Sequence, residues 1–140
     1  MVAPHQDMTL KLPSPQDGAG AARVFPMSFA QQRLWTLDRL LPLGSVYTLL
    51  QVVRLKGALD VEALRCALNE LVRRHEVLRT RFTMHDGEPM QVIEPELTLP
   101  LDLEDLSVLP EAEREAEAQR QIQGDARTKF DLEIGPLLRV

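Results

Sequence analysis

Between Leu78 and Ile93 two apolar-rich runs, Leu78 to Met84 and Pro89 to Ile93, flank His85-Asp86-Gly87-Glu88. An Asp-Gly step suits two successive residues at positive φ, the backbone of a tight turn whose twist matches the strands it joins. The segment therefore predicts a β-hairpin near the middle of the chain, and every other element has to be placed around that antiparallel pair. The turn also accounts for Asp86 and Gly87 without any catalytic role, and it leaves His85 on an exposed strand end.

Upstream, Ser28 followed three residues later by Gln31 has the form of a capping box, in which each side chain satisfies an orphan amide at a helix start. Ala30, Leu34, Leu37 and Leu41 then recur at steps of four, three and four, which predicts one buried stripe on a helix from Phe29 to about Leu40, ended by Pro42 and Gly44. A second helix is expected from the Asp60 cap to about Arg74, with Val61, Leu64, Leu68, Leu71 and Val72 on its apolar face. Glu111 to Arg127 carries Ala112, Ala116, Ile122 and Ala126 on a thin stripe among charged residues, the pattern of a surface helix. Its acidic start at Glu111 to Glu117 reads as a solvated face.

Three further segments suggest strands. Val46 to Leu55 is aliphatic on both alternating faces, as for an inner strand covered on two sides, and Gly57 ends it. Leu99 to Leu103 alternates enough for one short strand. Phe130 to Val140 closes on an apolar run that reads as the first half of a buried strand, an ending that suggests truncation and leaves Leu137, Leu138 and Val140 without the neighbours that bury such residues. Residues 1–23 hold Pro4, Pro13, Pro15, Gly18 and Gly20 with no period of either kind and read as a flexible leader, so the folded part is expected over 24–140. The fold class expected is α/β, a two-layer α+β arrangement.

Chemistry is sparse. The 16 Lys and Arg stand against 21 Asp and Glu, a net charge of -5 that gives no footprint for nucleic acid or an anionic membrane surface. Cys66 is the one cysteine, so no intrachain disulfide can form, and with no adjacent base it reads as a small core residue on its helix. His5, His75 and His85 are isolated, and the spacing offers no metal site. Gly18 and Gly20 form no phosphate-binding loop. No stretch has the length of apolar residues a membrane span needs, no signal peptide opens the chain, and the expected setting is the cytoplasm.

Two segments remain: Ser28-Phe29-Ala30-Gln31-Gln32-Arg33-Leu34-Trp35 and Arg74-His75-Glu76-Val77-Leu78-Arg79-Thr80-Arg81-Phe82. They resemble, in order and spacing, two signatures of the condensation domains of nonribosomal peptide synthesis, Ser-x-Ala-Gln-x-Arg-Leu-Trp and Arg-His-Glu-x-Leu-Arg-Thr-x-Phe. Weaker matches follow at Leu55 to Asp60, Phe130 to Leu132 and Gly135 to Arg139, so the resemblance runs from about Phe25 to Val140. Thr36 and the Leu43-Gly44-Ser45 turn depart from the family's usual residues.

The resemblance implies the amino-terminal, incomplete subdomain of a chloramphenicol acetyltransferase-like fold. It implies a parent activity in which the acyl group on one carrier protein's phosphopantetheine thioester is joined to the amine of a downstream aminoacyl group. Carrier proteins, the rest of the condensation domain and adenylation domains are the implied partners, and the phosphopantetheine belongs to the carriers, with no cofactor bound directly. The family's catalytic His-His-x-x-x-Asp-Gly motif occurs nowhere in these residues, although it would follow shortly after Gly-Pro-Leu-Leu-Arg. The resemblance therefore assigns no catalytic residue here. Ser28, Ala30, Gln31, Arg33, Leu34, Trp35, Arg74, His75, Glu76, Leu78, Arg79, Thr80 and Phe82 are scaffold positions, and Arg79 is the residue expected to hold the motif aspartate.

Three readings stay open at this point. The chain is a piece of an amide-forming domain, inactive alone; or a noncatalytic half-domain that binds carriers; or a related acyltransferase that makes esters from a thioester donor. A severed inner strand would also expose apolar surface and promote association.

Overall fold

The computed structural model describes residues 20–41 and 47–140. Most of the proposed leader, and Pro42, Gly44 and Val46, lie outside the described residues. The elements run β1 (Arg23–Pro26), α1 (Phe29–Leu40), α2 (Val61–Arg74), a 3-10 turn (Glu76–Arg79), β2 (Thr80–His85), β3 (Glu88–Ile93), a second 3-10 turn (Leu106–Val108) and α3 (Glu111–Arg127).

The hairpin forms where the Asp-Gly step places it. Asp86 has φ 51° and Gly87 φ 81°, and β2 pairs with β3 from Thr80 opposite Ile93 to His85 opposite Glu88. Sequence reasoning began the first strand at Leu78; Leu78 and Arg79 instead close the 3-10 turn, with the Leu78 N–H donating to the His75 carbonyl at 3.0 Å. The other side of β3 is taken by β1, Arg23 opposite Ile93 and Pro26 opposite Met90, giving an antiparallel sheet of order β1-β3-β2. The strand at Arg23–Pro26 had no sequence signal; four residues ending in Pro are too few to show a period, and an edge strand tolerates that Pro.

Three expected strands are absent among the described residues. Tyr47 to Leu55 pairs with none of β1, β2 and β3 and lies mostly exposed. Leu99 to Leu103 is irregular: Leu99 is 2% exposed, but its N–H and C=O go to the Asn69 side chain, at 2.8 and 3.3 Å, and not to a ladder. Phe130 to Val140 turns instead of extending, with Asp131 Oδ1 accepting from the Glu133 and Ile134 amides at 2.8 and 3.0 Å. Leu137 and Leu138 are half-buried in this segment and Val140 is exposed.

Helix bounds fall where the caps put them, but the buried faces differ from expectation. On α2 the Asp60 carboxylate accepts from the Ala63 amide at 2.9 Å; Val72 is buried and Val61, Leu64 and Leu68 half-buried, whereas Leu71 is exposed. Cys66 is exposed, which corrects its reading as a core residue. On α1 the stripe read as buried is open: Leu34 is 45% and Leu41 44% exposed, Ala30 is exposed, and only Leu37 is half-buried. Trp35, on the other side of the helix, is its buried residue. The core of the described residues is Met27, Trp35, Val72, Met90, Val92 and Leu99.

Candidate functional site

Both signature segments are attached to the same sheet, from different sides. The capping box forms as the sequence proposes: the Gln31 amide donates to Ser28 Oγ at 3.3 Å and the Ser28 amide to Gln31 Oε1 at 2.7 Å. With its Oε1 so used, Gln31 has its Nε2 free to donate to Gln91 Oε1 at 3.3 Å, and Gln91 Nε2 in turn donates to the Pro26 carbonyl at 3.1 Å. Gln32 closes the corner by donating to the Met27 carbonyl at 3.0 Å. The first segment is thus fixed to β1 and β3 by a run of amides, and Trp35 is fixed under the Arg39 guanidinium, 4.7 Å from the ring centroid.

The second segment is fixed by charge. Glu76 Oε1 pairs with Arg23 of β1 and lies 3.6 Å from Arg79 Nη2. The Arg79 side chain is 12% exposed, and its Nη1 donates to the Glu94 carbonyl at 2.6 Å, while the Glu94 amide donates back to the Arg79 carbonyl at 3.0 Å. Thr80, 7% exposed, donates its hydroxyl to the Glu76 carbonyl at 2.8 Å. Arg81 pairs with the Glu94 carboxylate at 2.6 Å, and the Phe82 amide donates to the Leu132 carbonyl at 2.8 Å, drawing the turn after α3 against β2.

The remaining signature residues stand at the surface. Ala30, Arg33, Leu34, Arg74 and His75 are exposed; Leu78 and Phe82 are half-buried. Arg73 and Arg74 both hold Glu70, and their hydrogen bonds pull the Glu70 carboxyl down to about 2. His75 caps α2 through its backbone, donating to the Leu71 carbonyl at 2.9 Å. His85 lies exposed, 3.5 Å from Asp86, which is also exposed.

An open cleft of about 430 Å³ lies between α1 and the segment after α3, lined by Trp35, Asp38, Arg39, Lys129 and Glu133. Four of its charges are paired, Lys129 with Asp38 at 3.0 Å and Arg39 with Glu133 at 2.6 Å. Among the described residues no three of His, Cys, Asp and Glu converge as metal ligands, and no helix is long and apolar enough to cross a membrane. What the arrangement can do is hold: Arg23, Asn69, Gln91 and Glu94, which sequence reasoning missed, join distant segments by hydrogen bonds that carry no local periodicity.

The family model of the condensation domain matches residues 21–140. A linear gramicidin synthase of Brevibacillus parabrevis is 52% identical over 114 residues, 81% of this chain and 2% of that protein. Phosphinothricin tripeptide synthetase PhsC of Streptomyces viridochromogenes is 49% identical over 114 residues, 81% of this chain and 10% of that protein. The condensation domain of the monacolin K polyketide synthase MokA superposes with a TM-score of 0.56 at 19% identity, over 78% of this chain and 24% of that one, a likeness of fold. The chain therefore spans a small part of the relatives it matches. With the family model covering nearly all of the described residues, and both signature segments mounted on one sheet, the chain belongs to the condensation-domain family.

Proposed function

We propose that this chain is the amino-terminal part of a condensation domain of a nonribosomal peptide synthetase, residues 1–23 forming a leader and 24–140 the domain part. The parent reaction joins a carrier-bound thioester donor to the amine of an aminoacyl acceptor on a second carrier, and the product is an amide. The observation that carries this reading is the joint mounting of the two signature segments, Gln31 on Gln91 and Arg79 on Glu94, on β3 and its exit.

Aminolysis of a thioester needs an unprotonated amine and donors aimed at the developing oxyanion. In this reading neither comes from these residues, and the role of this part is positional. Arg79 has five N–H donors and spends one on the Glu94 carbonyl, so others remain for the aspartate of a His-His-x-x-x-Asp-Gly motif. Glu76 keeps the guanidinium oriented, and Arg23 keeps Glu76. Carrier domains and their phosphopantetheine arms are the substrates' bearers, and adenylation domains belong to the same assembly.

The test is to read the coding DNA past the Val140 codon in frame, and to assay the purified chain with donor and acceptor aminoacyl thioesters on isolated carrier proteins. The reading expects the His-His-x-x-x-Asp-Gly motif downstream and no amide product from the chain alone. A stop codon directly after Val140 overturns it in favour of a carrier-binding half-domain; amide formation by the chain alone overturns the purely positional role.

A further inference from the structure

The two ends of α1 are attached by different chemistry. At its start the bonds are uncharged: Gln31 donates to Gln91 Oε1 at 3.3 Å, and Gln32 to the Met27 carbonyl at 3.0 Å. Toward its end the contacts with the segment after α3 are ionic. Lys129 Nζ lies 3.0 Å from Asp38 Oδ2, and Arg39 Nη1 donates to Glu133 Oε1 at 2.6 Å. No backbone-to-backbone hydrogen bond joins α1 to that segment among the described residues.

The segment itself is firm where it meets α1. Asp131 Oδ1 accepts from the Glu133 and Ile134 amides at 2.8 and 3.0 Å, which fixes the turn. On its other side β2 holds its backbone, with the Phe82 amide donating to the Leu132 carbonyl at 2.8 Å and Arg81 Nη1 to the Glu133 carbonyl at 3.3 Å.

Charge also sets the register of the contact. Asp38 and Arg39 are neighbours of opposite sign, and they meet Lys129 and Glu133, which are again of opposite sign. Exchanging partners would set Asp38 against Glu133 and Arg39 against Lys129, two repulsions, so one docking is favoured over the other. Beneath the Arg39 guanidinium, 4.7 Å from its ring centroid, Trp35 is 9% exposed and lines the same cleft.

We infer that α1 is a lever, pinned to the sheet at Gln31 and latched to the segment after α3 by the charges of Asp38 and Arg39. Ionic strength releases the latch and leaves the pin, because salt screens ion pairs and acts little on bonds between neutral amides. Release swings the end of α1 away from the turn at Asp131 and opens the cleft over Trp35. The inference goes beyond the proposed function and does not depend on it.

Trp35 is the chain's single tryptophan, so its fluorescence reads the cleft directly. Acrylamide, an uncharged quencher, should reach it about twofold more readily at about 1 M salt than at about 10 mM, with helix content by circular dichroism unchanged. Lys129→Gln with Glu133→Gln leaves Arg39 on the ring and should show the high-salt accessibility at low salt, with no further response. Lys129→Asp alone faces Asp38 with a like charge and should open the cleft; adding Asp38→Lys should close it and restore the salt dependence. The side-chain amide resonances of Gln31 and Gln91 should hold their positions throughout. Accessibility of Trp35 that ignores salt, a charge exchange that fails to restore it, or glutamine resonances that shift together with it overturns the proposal.

Discussion

Gln31 and Gln91 meet amide to amide, the Nε2 of Gln31 donating to the Oε1 of Gln91 at 3.3 Å, and this contact carries the cap of α1 onto the central strand of the sheet. Gln91 holds two partners, since its own Nε2 reaches the Pro26 carbonyl at 3.1 Å. Gln91→Ala strands a half-buried donor on Gln31 and the carbonyl of Pro26 together. The expected cost is about 1–3 kcal/mol, measured by urea unfolding, with Gln91→Glu intermediate because it keeps the acceptor and loses the donor.

Arg79 is held by the fork of its guanidinium, and its side chain is only 12% exposed. Arg79→Lys keeps the charge and discards the planar donors, so it should lose about 1–3 kcal/mol in the same experiment. Arg54→Lys, at a site 66% exposed, should leave the unfolding midpoint almost where it was, since solvent and salt screen such a pair.

Asn69 replaces a strand neighbour for Leu99. Asn69→Ala removes both of Leu99's hydrogen bonds while leaving its side chain buried, so hydrogen exchange at the Leu99 amide should accelerate. The predicted loss is about 1–3 kcal/mol; an unchanged exchange rate would show that burial alone holds the segment.

Glu70 gives a pH dependence whose sign is fixed. Its folded carboxyl titrates near 2, below the ordinary glutamate range, because Arg73 and Arg74 donate to it. A depressed folded value means a contribution fully present above the unfolded pKa and lost as pH falls from there toward 2. Carbon-detected NMR titration of Glu70 in the Arg73→Gln, Arg74→Gln double variant should return the carboxyl toward its ordinary range. The effect on folding should be small, because all three groups are at the surface.

Turn chemistry and caps were legible: Asp86-Gly87, the Ser28 and Gln31 box and the Asp60 cap each act within a few residues, and the elements begin and end where they say. The signature segments were legible as a resemblance. What α1 buries was not. Hydropathy points to the side of Leu34, yet the helix reaches the sheet through Gln31, whose partner is the side-chain amide of Gln91, and its buried residue is Trp35. Tyr47–Leu55 was misread for a related reason, since an apolar alternating run states a capacity to pair and says nothing of where a free edge stands. Arg23 with Glu76, and Asn69 with Leu99, join residues 53 and 30 positions apart, and no window of local pattern spans such distances.

The register of β1 on β3, Val24 opposite Val92, has a kinetic consequence. The hairpin closes across two residues, whereas β1 can reach its place only by closing a loop that contains α1, α2 and everything between them. Loop closure of that length is entropically dear and slow beside hairpin formation. The pairing of β1 with β3 should therefore be the last part of the sheet to close and the first to open: the β1 amides should exchange with solvent deuterium under native conditions well before those shared by β2 and β3, and a chain beginning after Pro26 should still form the hairpin.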